Sequence, residues 1–73
     1  MRPIDLLGKI LSNGYNAEIQ SKPYGSLLVL RNKSILSYSV GSLIRRGGYR
    51  FKYCYDDTNG ESVFIFTKKN TIN

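Results

Sequence analysis

Turn signals recur so closely along this sequence that they restrict how its segments can pair. Short alternating or apolar segments are separated at Asn13-Gly14, at 22–25, at 31–34 and at 56–60. Two strands joined by so few residues run antiparallel, because a parallel crossover needs about a dozen residues or more. The sequence therefore predicts an α+β fold, in which one N-terminal amphipathic helix packs on an antiparallel sheet of four to five short strands.

The N-terminal segment 3–13 has the apolar period of an amphipathic helix. Pro3 suits the first helical turn, where its missing amide proton is not needed. The carboxylate of Asp5 lies in the same turn, where the helix dipole favours a negative charge. Asn13-Gly14 supplies the expected C-terminal stop, so we expect a helix over 3–13.

Period-two alternation and short apolar runs predict the strands. We expect strands near 15–21, 26–31, 35–40, 49–55 and 62–67, with residues 68–73 as a polar tail. Segment 41–48 interrupts the pattern and forms either one helical turn capped by Ser42 or an irregular loop. A chain of this length has room for one core only, so residues 1–73 are expected to form a single small basic domain.

Two of the predicted strands are apolar on both faces. They contain the runs Leu27-Leu28-Val29-Leu30 and Val63-Phe64-Ile65-Phe66. One short helix covers only one face of a sheet, so the other face needs closure into a small barrel or a second copy of the chain. A homodimer is therefore among the expected states.

The last hairpin can pair in two registers that give different surfaces. If Asn59-Gly60 forms a two-residue turn, Tyr55 faces Phe64 and the aromatic pairs of the hairpin share one face. If the loop instead spans 56–60, the phenylalanines of the last strand lie beside the cations of the preceding strand. Because Asn-Gly is a strong signal for a two-residue turn, we expect the first register.

Segment 44–55 alternates basic and aromatic residues, which predicts a strand with a cationic face and an aromatic face. The whole chain has 11 Lys and Arg against 5 Asp and Glu, an excess that attracts nucleic acid or an acidic protein surface. Guanidinium groups beside flexible glycines suit phosphate contacts. The alternative is a solvated strand face whose charges prevent edge-to-edge aggregation. The predicted phosphate contacts are Arg45, Arg46, Arg50 and Lys52, with Lys68 and Lys69 extending the patch.

The aromatic residues of this region are expected to lie mainly in the core, because large rings dominate small cores. This prediction covers Tyr49, Phe51, Tyr53 and Tyr55. Tyr49 or Phe64 is nevertheless a candidate for stacking on a base.

The residue inventory argues against an enzyme, a metal site or a cofactor. The chain has no histidine and a single cysteine, so it lacks the commonest general base and the usual ligands of zinc. Asp56 and Asp57 lie beside a turn, where backbone hydrogen bonding is their expected role. The lone Cys54 rules out an internal disulfide, which predicts an intracellular protein with an inert, at least half-buried thiol. No apolar segment is long enough to span a membrane, and no membrane partner is expected.

Part of the basic region resembles a known DNA-binding element. The run Gly-Tyr-Arg-Phe-Lys-Tyr at 48–53, followed by Asp56-Asp57 and Gly60, is similar to the DNA-reading sheet in the N-terminal domains of tyrosine recombinases. The resemblance covers residues 44–60, under a quarter of the chain. In that family a helix follows the strands, whereas here the predicted helix comes first. The resemblance implies DNA as the partner.

Together these patterns predict a small non-catalytic nucleic-acid-binding protein, with DNA slightly favoured over RNA. The alternative is a small phage or mobile-element protein that binds and inhibits a larger host protein or a defence complex. Small size, richness in Lys, Asn, Ser and Ile, and the lack of catalytic residues favour this alternative. In that case an acidic patch on the target would face the basic cluster.

Overall fold

Two helices and four strands make up the computed structural model, which describes residues 2–33 and 36–69. In chain order they are α1 (Pro3–Ser12), β1 (Asn16–Lys22), β2 (Gly25–Asn32), α2 (Tyr38–Arg46), β3 (Arg50–Asp56) and β4 (Ser62–Lys69). The strands form one antiparallel sheet in the order β1-β2-β4-β3, so β1 and β3 are its edges. This arrangement confirms the predicted α+β class and the antiparallel pairing.

Helix α1 forms where its apolar period predicts it and ends one residue earlier than expected. Pro3 lies in the first turn, and the Asp5 carboxylate pairs with the Arg2 guanidinium at 3.2 Å. Leu6 and Ile10, about one helical turn apart, are fully buried in the core. Burial of this apolar stripe is what holds the helix on the sheet.

The predicted strands are present except for one. Four of them begin and end within two residues of the predicted limits. Strand β4 continues to Lys69, so Lys68 and Lys69 belong to the sheet rather than to the predicted tail, whose later residues lie outside the described range. The strand predicted over 35–40 is wrong: residue 35 lies outside the described range, and the chain is helical from Tyr38.

Helix α2 forms because Ser37, rather than the predicted Ser42, caps its N-terminus. The Ser37 hydroxyl accepts a hydrogen bond from the Val40 amide at 3.3 Å, and the Ser37 amide donates to the Tyr15 hydroxyl at 2.9 Å. Val40 and Ile44, one helical turn apart, are then buried. Burial of this helical face outweighs the short alternation that predicts a strand here.

Helix α2 ends in a Schellman motif that leads directly into β3. The Gly48 amide donates to the Arg45 carbonyl at 3.0 Å, and the Tyr49 amide donates to the Ile44 carbonyl at 3.2 Å. Gly48 has a φ of +91°, a conformation that other residues rarely adopt. Tyr49 and Ile44 also meet in the core. The motif therefore fixes the end of α2 relative to the start of β3.

The main core lies between the two helices and one face of the sheet. Because α2 helps α1 to cover this face, alternate residues of the inner strands are buried against both helices. The buried members are Leu6, Ile10, Tyr15, Leu28, Leu30, Val40, Ile44, Tyr49 and Phe66.

The face of the sheet turned away from the helices, called the open face below, has a smaller apolar cluster. Val29, Val63 and Ile65 are buried there, with Leu27 packed against them. Within the described residues the sheet is not closed into a barrel, and this cluster is buried inside one chain. The barrel, one of the two expected closures, is therefore wrong, while cover by a second copy stays a prediction.

The β3–β4 hairpin adopts neither of the two predicted registers. Tyr55 pairs with Val63, which lies between the two alternatives. The Asp57 amide donates to the Glu61 carbonyl at 2.7 Å, and the Gly60 amide donates to the Asp57 carbonyl at 3.1 Å. This is the pattern of a three-residue loop, which needs a left-handed third residue, and Gly60 has a φ of +80°. Gly60 thus ends a longer loop instead of completing a two-residue turn.

Candidate nucleic-acid interface

An extra residue in β3 changes which of its side chains share a face. Arg50 pairs with Thr67 and Tyr53 pairs with Ile65, so β3 has one residue more than β4 between these pairs. Directly paired residues have their side chains on the same face, so Arg50, Tyr53 and Tyr55 all project from the open face. The predicted separation into a cationic and an aromatic face is therefore wrong, because this β-bulge interrupts the alternation.

The pairing of the strands brings several cations to one end of the sheet. Lys22 at the end of β1 pairs with Gly25, which in turn pairs with Lys69 at the end of β4. Arg50, the first residue of β3, lies at the same end. We call this region the basic end; on the sheet it comprises Lys22, Arg50, Lys68 and Lys69. Sequence reasoning missed Lys22, although the turn at 22–25 places it beside the start of β2.

Helix α2 adds two arginines to the basic end, because it stops only a few residues before β3 starts. Arg45 and Arg46 occupy its last turn, and both are exposed. Arg45 and Arg50 line one cleft of about 470 Å³, whose wall includes Phe51. Arg50 and Lys69 line a second cleft. Arg50 is therefore shared by the two clefts and is the central cation of the site.

The other two predicted cations lie at the margin of this group. The Lys68 ammonium is 5.8 Å from the centroid of the Tyr49 ring, a cation–π geometry on the helix side of the sheet. The side chain of Lys68 also approaches the Gly48 backbone. Lys52 is exposed on β3, next to the bulge.

The cations of the basic end are not neutralised by carboxylates. Over residues 2–33 and 36–69 two ion pairs form, between Arg2 and Asp5 and between Arg31 and Glu18. The other acidic residues lie at the opposite end of the β3–β4 hairpin, in or next to its loop; they are Asp56, Asp57 and Glu61. Within those residues none of the predicted phosphate contacts makes an ion pair; these are Arg45, Arg46, Arg50, Lys52, Lys68 and Lys69.

Three of the four aromatic residues predicted for the core are exposed. Tyr53 and Tyr55 are 49% and 48% exposed, and their rings stack on the open face with centroids 6.2 Å apart and planes 27° apart. Phe51 is exposed on the other face, where its ring meets Phe66 edge-on. Only Tyr49 is buried as predicted. The remaining three are exposed because β3 is an edge strand, a position that the sequence does not reveal.

The two rings predicted to stack on bases are buried to different degrees. Tyr49 is only 2% exposed and belongs to the main core. Phe64 lies on an inner strand and packs against the same core. Burial therefore contradicts a stacking role for Tyr49, whereas for the half-buried Phe64 this role stays a prediction. The accessible pair of rings is Tyr53 and Tyr55, which the bulge places on the same face as Arg50.

The remaining predictions concern single groups. The Cys54 thiol is exposed, so the prediction of a buried or half-buried thiol is wrong. In the described part of the chain, no three His, Cys, Asp or Glu residues come together as a metal site. No described helix has the length and apolar character that crossing a membrane requires.

Comparison with known proteins assigns no family to this chain. No family model matches it, and neither a curated protein nor a solved structure does. The resemblance to tyrosine recombinases therefore depends on residues 44–60 alone.

Proposed function

We propose that this chain is a small non-catalytic nucleic-acid-binding protein. Its phosphate contacts are the basic residues of the C-terminal hairpin and of the last turn of α2 before it. Arg50 and Lys69 form the centre of this cluster, and Arg45 extends it along the first cleft. DNA is slightly favoured over RNA because of the resemblance at 44–60.

The observation that supports this proposal is the convergence of unpaired cations. In the described residues the two ion pairs, Asp5 with Arg2 and Glu18 with Arg31, lie outside the basic end. A cation with no carboxylate partner is available to replace the counterions of a phosphate, and each replacement contributes to affinity. Phosphate also suits the arginines, whose planar guanidinium groups can donate two parallel hydrogen bonds.

A salt series tests the proposal. If about four phosphates are neutralised, the logarithm of the binding constant should fall against the logarithm of salt concentration with a slope of about −3.6 on duplex DNA. Filter binding with the full chain measures this slope. Replacing Arg50 and Lys69 by glutamine should reduce its magnitude by about 1 for each lost contact.

A matched control separates local contacts from overall charge. Lys9→Gln removes one charge from the exposed side of α1, in its last turn and away from the basic end. It should leave the slope unchanged. A flat salt response of the full chain would contradict the proposal. An equal loss from Lys9→Gln and from a single variant at Arg50 would show that net charge alone carries the binding.

The second candidate is a protein-binding module that inhibits a larger host protein or defence complex. The exposed Tyr53, Tyr55 and Arg50 favour it, because tyrosine and arginine often dominate protein–protein interfaces. A pull-down from lysate with and without nuclease separates the two functions. Nucleic-acid binding predicts that captured proteins are lost after nuclease treatment, whereas the module predicts that one discrete protein is retained.

An intracellular location belongs to the same proposal. Cys54 is an exposed free thiol, which a reducing compartment would keep from oxidation. Fractionation of the source cells tests the location, and recovery outside the cell would contradict it.

A further inference from the structure

The open face combines two kinds of contact that nucleic acid can use. Arg50, Tyr53 and Tyr55 follow one another on the open face of β3. Lys69, on β4, lines the same cleft as Arg50. Along a strand, residues two apart on one face are separated by roughly 6.6 Å. The cations at the start of β3 and the two rings that follow them therefore share one face, with neither helix in between, over a distance that spans a few nucleotides.

The two tyrosine rings have exposed surface for an additional stacking partner. They stack on each other, yet about half of each side chain is exposed. Unpaired bases stack on such rings whatever their sequence, because every base has a π-face. In a duplex the bases already stack on one another, and their faces are not available to a flat protein surface. Exposed rings on a sheet face thus favour a single strand over a duplex.

The charges of the same face are complementary to a phosphate backbone. Arg50 and Lys69 line one cleft together with Thr67 and Gly48, so two cations meet where β3 begins. Glu18, the acidic residue on the open face of β1, is already paired with Arg31. A strand of nucleic acid leaving the rings towards the basic end would meet cations rather than carboxylates.

We propose that single-stranded nucleic acid lies along β3 on the open face. Its bases stack on Tyr53 and Tyr55, and its phosphates contact Arg50 and Lys69. This inference rests on the proposed function and narrows it to a substrate class. A duplex would use the basic end without the rings.

Fluorescence anisotropy tests the inference with a short labelled oligothymidine, free or annealed to its complement. At equal salt, the single strand should bind about tenfold or more tightly than the duplex. The double variant Tyr53→Leu, Tyr55→Leu retains apolar cover over Val63 and Ile65 but removes the rings. It should weaken single-strand binding by about tenfold or more, the range expected for loss of base stacking. Duplex binding should change little.

Two controls keep the result specific to the open face. Tyr38→Leu removes an exposed ring from the start of α2 and should leave both affinities unchanged. The variant Tyr53→Phe, Tyr55→Phe keeps both rings and should bind like the unmodified chain. If the leucine variant fails to fold, crosslinking the unmodified chain to an iodouridine-substituted oligonucleotide replaces it, with Tyr53 or Tyr55 as the expected attachment site.

Different failures have different meanings. Equal affinity for single strand and duplex, with no effect of the leucine variant, would overturn this inference and leave the proposed function standing. Crosslinks confined to the helix side of the sheet would overturn it as well. Absence of binding to either probe at low salt would overturn the proposed function itself.

Discussion

The hydroxyl groups of the two buried tyrosines have different surroundings. The Tyr15 hydroxyl accepts a hydrogen bond from the Ser37 amide, at the residue that caps α2. The Tyr49 hydroxyl is buried without a hydrogen-bond partner among the described residues. A buried polar group is costly when unpaired, whereas a paired one contributes modestly. The Tyr15 hydroxyl therefore links the start of α2 to the core, whereas Tyr49 contributes to the core through the packing of its ring.

The paired substitutions Tyr15→Phe and Tyr49→Phe test this difference. Tyr15→Phe leaves the Ser37 amide without its partner and should lower the free energy of unfolding by about 1–2 kcal/mol. Tyr49→Phe should leave stability unchanged or raise it by up to about 1 kcal/mol. Urea unfolding monitored by circular dichroism gives both values. A larger loss from Tyr49→Phe than from Tyr15→Phe would show that an unseen partner satisfies the Tyr49 hydroxyl.

At the scale of elements, the link from α2 to β3 depends on one glycine. Gly48 combines a left-handed φ with a close approach, since a Cβ there would come within 3.2 Å of the Lys68 side chain. Gly8, by contrast, lies in α1 with no heavy atom within 4 Å of such a Cβ. The two positions offer a matched pair for the same substitution.

Gly48→Ala should destabilise the protein by about 1–2 kcal/mol, because alanine is strained in the left-handed conformation. Gly8→Ala should stabilise it by about 0.5–1 kcal/mol, because alanine loses less entropy in a helix. Thermal unfolding of both variants checks the signs. Equal effects of the two substitutions would contradict the Schellman motif at the end of α2.

The elements that could be predicted from sequence are those with a strong local signal. Helix α1 has a long apolar period with a stop, and four strands have alternation or short apolar runs bounded by turns. The sequence left a helical turn open for the end of α2 but predicted its start as a strand, because the helical spacing of Val40 and Ile44 overlaps a short alternating pattern, and packing decides between the two. The register of the β3–β4 hairpin was not predicted, because Asn59-Gly60 fits two hairpin loops of different length.

The candidate site was predicted in part. Most of its cations could be predicted because they cluster in the sequence. Lys22 joins them only through the pairing of strands across the sheet. The accessible rings could not be predicted. Their exposure depends on β3 being an edge strand and on its bulge, both of which arise from pairing between distant segments.

At the scale of the whole molecule, charge is distributed unevenly along the β3–β4 hairpin. Cations lie where β3 begins and β4 ends, while Asp56, Asp57 and Glu61 lie at the loop end. The chain as a whole has a net charge of +6. Such a distribution speeds encounter with a polyanion in one orientation.

Rising salt should therefore slow association with nucleic acid more than it speeds dissociation, because screening acts mainly on the encounter. Stopped-flow mixing with a labelled oligonucleotide separates the two rates. The variant Arg50→Gln, Lys69→Gln should reduce the salt dependence of association. A salt effect confined to dissociation would mean that the charges act only after docking.

The bulge in β3 also has a consequence for how the protein behaves when it is crowded. A regular outermost strand offers a ladder of unsatisfied amide and carbonyl groups on which further chains can grow into fibrils. The additional residue breaks the spacing of that ladder and increases the local twist. The same irregularity that gathers arginine and tyrosine on one surface thus makes the β3 edge a poor template for aggregation.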